Sequence, residues 1–244
     1  TVSYLHFVSD FMSGSKRYLN KDCLPYATML YYNLYQERID KTELKGMGVY
    51  EALNLLHDDR YRYFKQEAME IVSYLLAHLE ITTTPLGSEI LPGIELYGCY
   101  TREEIFTLVG RQTEEKRMSG SVSGLFNLPE YNATLLFVTL NKSDKDFSPS
   151  TQYDDYVINE DYFHWQSKNT DSHYNRGGRI YTEQPQRHNK IILFVREEKK
   201  DGFGNTCSFH CFGLVDYVSS HGDFPMNIIW RLEKPVMPRY LKVV

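Results

Sequence analysis

Cysteine is scarce in this chain of 244 residues: four, at positions 23, 99, 207 and 211, with no paired spacing. So few, so scattered, exclude a disulfide framework and point to a reducing cytosol. Long hydrophobic runs are missing too. None approaches the roughly 20 residues needed to cross a bilayer, and the start lacks a signal-peptide pattern. The membrane and secreted readings fall together. There is no P-loop, no G-x-G-x-x-G and no G-x-S-x-G, so nucleotide hydrolysis, dinucleotide chemistry and serine hydrolysis gain no support. Neither charge sign dominates, and a net charge of −5 argues against a histone-like electrostatic binder. What is present in excess is tyrosine. Aromatics make up 14% of the chain, as 20 Tyr and 13 Phe against only 2 Trp. An apolar body with a polar tip suits either a partly wet core or a surface that stacks on planar ligands. Thr1 in place of an initiator methionine is expected of a piece cut from a longer protein, or of N-terminal processing.

The first 80 or so residues read as helix. From Ala68 the apolar positions Ile71, Val72, Leu75, Leu76 and Leu79 follow one face at a 3.6 period. Asp58 or Asp59 is a candidate cap, and Thr82-Thr83-Thr84-Pro85 ends the helix, because the residue before a proline resists the α region. Two more helical stretches are expected over 26–39 and 49–56. A break at 81–90 then separates a helical part, 1–85, from 86–244. Beyond it, Thr101-Arg-Glu-Glu104 is a capping box that opens a short helix over 102–109, closed by Gly110. The rest favours strands, at 133–140, 162–166, 190–196, 207–214 and 227–232, with a hairpin turn in the KKDGFGN stretch of 199–205. The expected class is α+β: helices first, then a curved, half-closed sheet or partial barrel. Ten of the 20 tyrosines fall in the helical third, where packing and domain docking suit them better than base stacking.

Polar chemistry concentrates between Ser150 and Asn169. A flipped nucleobase needs aromatic faces around its ring and hydrogen-bonding groups for the edge that lost its partner. Tyr153, Tyr156 and Trp165 offer faces. Asp154 or Asp155 is a carboxylate able to accept from the exocyclic amine of cytosine, and Gln166 is an amide for the remaining edge. The competing reading makes Phe163 and Trp165 core residues of a strand and the aspartates turn formers. Next to this cluster, Lys168, Arg176, Arg179, Arg187 and Lys190 face only Asp171 and Glu183. With Gly177-Gly178 among them they suggest a long mobile loop, either contacting phosphates or merely solvated.

Two metal readings compete. Glu197-x-Lys199 after an apolar strand, with Asp154 or Asp155 upstream, has the layout of a metal-dependent nuclease. Cys207, His210, Cys211 and His221 invite zinc, but their spacing fits no usual scheme, and small buried thiols account for the cysteines better.

Four blocks carry a family resemblance: LYGCYTREEI (96–105), LLFVTLNKSDKDFSPSTQYDDYVINEDYFHWQS (135–167), ILFVREEKKDGFG (192–204) and MNIIWRLEKP (226–235). In this order they resemble the C-terminal domain of unknown function found on helicase–nuclease proteins, among them the ATP-dependent type IV restriction enzymes of the staphylococcal type. The resemblance implies a bacterial, cytoplasmic module without catalysis or cofactor of its own. It would read 5-methylcytosine or 5-hydroxymethylcytosine in duplex DNA, while the parent's helicase and nuclease use ATP and Mg²⁺, and residues 1–85 would couple reading to the motor. A shorter motif is similar to the SRA domains, PUA-related folds that flip 5-methylcytosine. Their Tyr-Glu-Asp-Asp stretch is followed, twelve residues after its Tyr, by a second pocket aromatic. Tyr153-Asp154-Asp155-Tyr156 and Trp165 repeat that interval. The resemblance implies that Tyr153 and Trp165 sandwich the base. Tyr156 stands where the family has its second Asp, which leaves Asp154 and Asp155 as alternatives for the reading carboxylate.

Overall fold

Helix signals in the first third are local, and the chain obeys most of them. A computed structural model describes residues 1–15, 21–79, 82–87, 90–118, 124–142 and 154–241. The helices of the first stretch are α1 (Val2–Met12), α2 (Leu24–Tyr35), α3 (Val49–Asn54) and α4 (Arg62–Ala77). Helix α2 ends before the expected Ile39, because Gln36 turns left-handed at φ 57° and bonds back to the Tyr32 carbonyl. Ile39 instead enters a 3₁₀ turn and is buried. Asp58 caps the 3₁₀ turn Asp59–Tyr61, just ahead of α4, by accepting from the Arg60 amide. Short strands β1 (Thr84–Pro85), β2 (Glu95–Leu96) and β3 (Cys99–Tyr100) come next in the chain. Helix α5 (Arg102–Leu108) carries the full capping box: Thr101 accepts from the Glu104 amide, and the Glu104 carboxylate accepts from the Thr101 amide at 2.7 Å.

The chain forms two compact units: Thr1–Ile94 with Tyr100–Gly120, and Glu95–Cys99 with Ser121–Val244. The units cross the composition break at 81–90. Backbone and side-chain bonds draw the stretch after α5 onto α2: the Tyr32 hydroxyl donates to the Thr113 carbonyl at 2.7 Å, and the Ile39 amide donates to the Glu114 carbonyl at 3.0 Å. The core of this helical unit is built on Phe7, Phe11, Leu30, Tyr31, Ile39 and Leu53. Its tyrosines divide: Tyr31 and Tyr32 are buried, whereas Tyr61, Tyr63 and Tyr74 are exposed. Periodicity located α4 but misjudged its burial. Only Val72 is fully buried, Ala68 and Leu76 pack at the edge of the core, and Ile71, Leu75 and Leu79 face solvent.

In the second unit the strands are β4 (Leu125–Leu128), β5 (Ala133–Thr139), β6 (Tyr156–Val157), β7 (Tyr162–Gln166), β8 (Lys190–Arg196), β9 (Phe209–His221) and β10 (Asn227–Leu232). They pair in the order β4-β5-β8-β9-β10-β7-β6, and only β5 and β8 run parallel. The path does not close, so the class is α+β with an open sheet in place of a partial barrel. Strands β5 and β8 are almost wholly buried, which is why their sequences read as unbroken apolar runs. Strand β9 outlasts its expected end at Leu214, because its polar second half pairs with β10 from Asn227 to Leu232. Gly213, at φ 84°, sits where the β8–β9 register shifts.

The stretch 168–190 is not a mobile loop. It contains α6 (Arg176–Thr182) and α7 (Gln184–Arg187), and Asn175 caps α6 by accepting from the Gly178 amide at 3.1 Å. The glycine pair is there for close approach. A Cβ on Gly178 would stand 2.6 Å from the Ser172 carbonyl carbon, closer still to its oxygen, and 2.5 Å from the Met226 sulfur. Among the described residues no helix is long and apolar enough to cross a membrane.

Candidate nucleic-acid interface

The polar cluster is assembled by β6, β7 and the end of β5. Pairing continues past β5, where the Leu140 and Asn141 amides donate to the Arg196 and Glu197 carbonyls at 3.0 and 2.7 Å. That extension delivers Lys142 to Asp155, and the ammonium lies 2.5 Å from the carboxylate. The other Asp155 oxygen accepts from the Gln166 amide at 2.9 Å, so the side chain does the work of a sheet bond just ahead of β6. Burial pushes the Asp155 carboxyl above its ordinary range, against the pull of Lys142. Gln166 is fully engaged: its side-chain oxygen accepts from the Asp154 amide at 2.8 Å and its nitrogen donates to Asn227 at 2.9 Å. His164 donates through Nδ1 to the Asp154 carbonyl at 2.6 Å, and its ring stacks on Tyr156 with centroids 4.5 Å apart.

These contacts sort the expected pocket residues. Asp155 and Gln166 are tied into the sheet. Asp154 has its backbone pinned from both sides while its side chain stays exposed, and Tyr156 is 44% exposed. Trp165 is corrected: it is 6% exposed, meets Tyr181 edge-on at 5.1 Å and lies 6.4 Å from Trp230. Alternation along β7 explains it, since Phe163 and Trp165 share the core face while His164 takes the other. The burial of Trp165 accords with the competing reading of a core tryptophan. Tyr153 lies outside the described residues. Lys142 and Asn227 were missed because their partners are 13 and 61 residues away in sequence.

The basic group narrows as well. Arg179 and Arg187 both pair with Glu183, and Lys190 is half-buried at the start of β8. Lys168 and Arg176 are exposed, with no ion pair to any described residue.

The metal readings lose their geometry. Glu197 pairs with Arg239 at 3.2 Å, and among the described residues no three His, Cys, Asp or Glu side chains gather to hold an ion. Cys211 is buried, its thiol pushed up to about 12, while Cys207 is only half-buried. His210 bonds Tyr240 at 2.6 Å, and burial, aided by Arg239 and opposed by Glu197, lowers its pKa to about 4. A depressed folded-state value means that this histidine favours the fold above its unfolded pKa of about 6.5, and that the benefit fades as pH falls through about 4. Allowing for partial exposure, the native chain should lose about 1–2 kcal/mol over that window relative to His210→Gln. Urea midpoints of both chains from pH 7 to 4 measure it; parallel curves would refute it.

Fold and site together define an α+β chain whose open sheet presents, near its β6 edge, an exposed aspartate on fixed backbone and an exposed aromatic. Residues 94–242 match the family described as a domain of unknown function, DUF3427, and the chain belongs to that family. No curated protein matches it. Among solved structures, Arabidopsis thaliana SUVH6 in complex with SAM is similar at 14% identity and a TM-score of 0.40, with 96% of this chain and 41% of that chain covered. This chain thus spans less than half of that one, and so slight a likeness carries neither fold nor function.

Proposed function

We propose that this chain is a DNA-binding module that recognises 5-methylcytosine or 5-hydroxymethylcytosine in duplex DNA by flipping the base. It would direct the helicase and nuclease of a parent type IV restriction enzyme. The observation that carries the reading is the exposed Asp154 carboxylate, two residues from the His164-stacked ring of Tyr156, on backbone fixed by His164 and Gln166. An exposed carboxylate on such fixed backbone can accept from the cytosine N4 amine, and Tyr156 supplies a face for the ring. In this reading Asp155, bonded to Lys142 and the Gln166 amide, is the anchor and Asp154 the reading carboxylate. Of the five basic candidates, Lys168 and Arg176 are the exposed ones with no ion pair to a described residue, and they would meet phosphate. ATP and Mg²⁺ belong to the parent's motor and nuclease in this reading, and this chain cuts nothing itself.

Fluorescence anisotropy with matched methylated and unmethylated duplexes tests it. The native chain should prefer the modified duplex. Asp154→Ala should weaken binding to that duplex about tenfold, the scale of one lost base-edge contact. Equal affinity of the native chain for both duplexes would refute the reading.

A further inference from the structure

Two loops of the second unit are fastened together beside the basic side chains, and each carries an exposed aromatic ring next to the fastening. The Phe224 amide donates to the Asp171 carbonyl at 3.0 Å. The His173 amide donates to the Asp223 carboxylate at 2.8 Å, and the His173 ring bridges that carboxylate at 3.0 Å and the Ser220 hydroxyl at 2.7 Å. Asn175 closes the first loop by donating to the Thr170 carbonyl at 2.7 Å. Tyr174 follows His173 and is 88% exposed; Phe224 follows Asp223 and is 60% exposed. Phe224 also holds φ at 60°, a conformation that bulky residues rarely adopt. The backbone is thus fixed while the rings are left in water.

Around the rings the cations face outward and the carboxylates are turned inward. The Asp171 carboxylate is buried and accepts from the Tyr181 hydroxyl at 3.0 Å, turned away from solvent. Asp223 is turned onto His173. Lys168 and Arg176, on either side of the first loop, are left facing solvent.

We propose that the Tyr174–Phe224 loop pair is a stacking site for unpaired nucleobases, with Lys168 and Arg176 receiving the phosphates of the same strand. Aromatic faces accept any base, so the site is tolerant of sequence, and the fixed loops leave little ordering to be done on binding. The inference rests on the proposed DNA-binding role but uses residues apart from Asp154 and Tyr156. It gives the module a grip on a strand whose bases are already unpaired.

The experiment is anisotropy of the full 244-residue chain with a fluorescein-labelled 20-mer of oligothymidylate, beside the matched methylated and unmethylated duplexes. Tyr174→Leu and Phe224→Leu keep bulk and lose the aromatic face; each should weaken single-strand binding about tenfold. Tyr174→Phe should retain it, and thermal melts confirm that the variants are folded. Lys168→Ala and Arg176→Ala should each reduce the slope of log affinity against log salt by about 0.7. Loss of single-strand affinity in the leucine variants supports the site even if the duplexes are bound alike, an outcome that would overturn only the modified-base reading. Unchanged single-strand affinity overturns the stacking site, whether or not methylated duplex is preferred. Absence of binding to any of the three DNAs at low salt overturns both.

Discussion

Lys142→Ala is expected to cost about 3–5 kcal/mol of stability at neutral pH, because it strands the Asp155 carboxylate in the protein interior. Both side chains of the pair are nearly inaccessible, 8% exposed for Lys142 and 3% for Asp155. Burial already raises the Asp155 pKa, and removing the ammonium takes away the charge that opposes the shift. A carboxyl with a raised folded-state pKa favours the fold fully below its unfolded value of about 3.9, and that contribution is lost as pH rises through the folded value. The deficit of Lys142→Ala should therefore shrink as pH falls toward 4, where Asp155 takes up a proton. Lys142→Met combined with Asp155→Leu should recover most of the loss, since an apolar pair leaves no uncompensated charge. Urea denaturation followed by tryptophan fluorescence suits the measurement, since both tryptophans, Trp165 and Trp230, lie buried in the same unit. A deficit under 1 kcal/mol, or one that does not change with pH, would show that the pair does not carry this weight.

Gly178→Ala is expected to destabilise the same unit by about 2–3 kcal/mol, through overpacking. The added methyl would collide with the Ser172 carbonyl and the Met226 sulfur. Methionine can yield, but the carbonyl belongs to the loop held by Asn175, so either α6 or that loop must move. Gly202→Ala is the control: nothing lies within 4 Å of its added carbon, and the change should stay within about 0.5 kcal/mol. Equal urea midpoints for the two variants would disprove the close-approach account of the glycine pair.

Local signals were legible where the physics is local. The Thr101–Glu104 capping box was readable because both its bonds close within four residues. Strands β7, β8 and β10 matched their expected limits because apolar runs and alternation need only the strand itself. The α4 stripe shows where that legibility ends. Its period located a helix, but which apolar residues are covered depends on what packs against them, and Ile71 and Leu75 are left exposed.

The candidate site divides along the same line. Composition and motif located the Asp154-Asp155-Tyr156 cluster, yet the roles within it came from partners far along the chain. Lys142 and Gln166 claim Asp155, Tyr181 and Trp230 claim Trp165, and Glu183 takes two of the five basic side chains. The scarcity of cysteine and of long apolar runs set the expected class before any fold was known, and the excess of tyrosine left a wet core and a stacking surface as alternatives. Which tyrosines meet water, which aspartate is spent on a buried ammonium, and why two glycines follow Arg176 were decided only by tertiary structure. Each depends on atoms that folding brings within a few ångströms of one another, and no single segment of sequence contains both members of the contact.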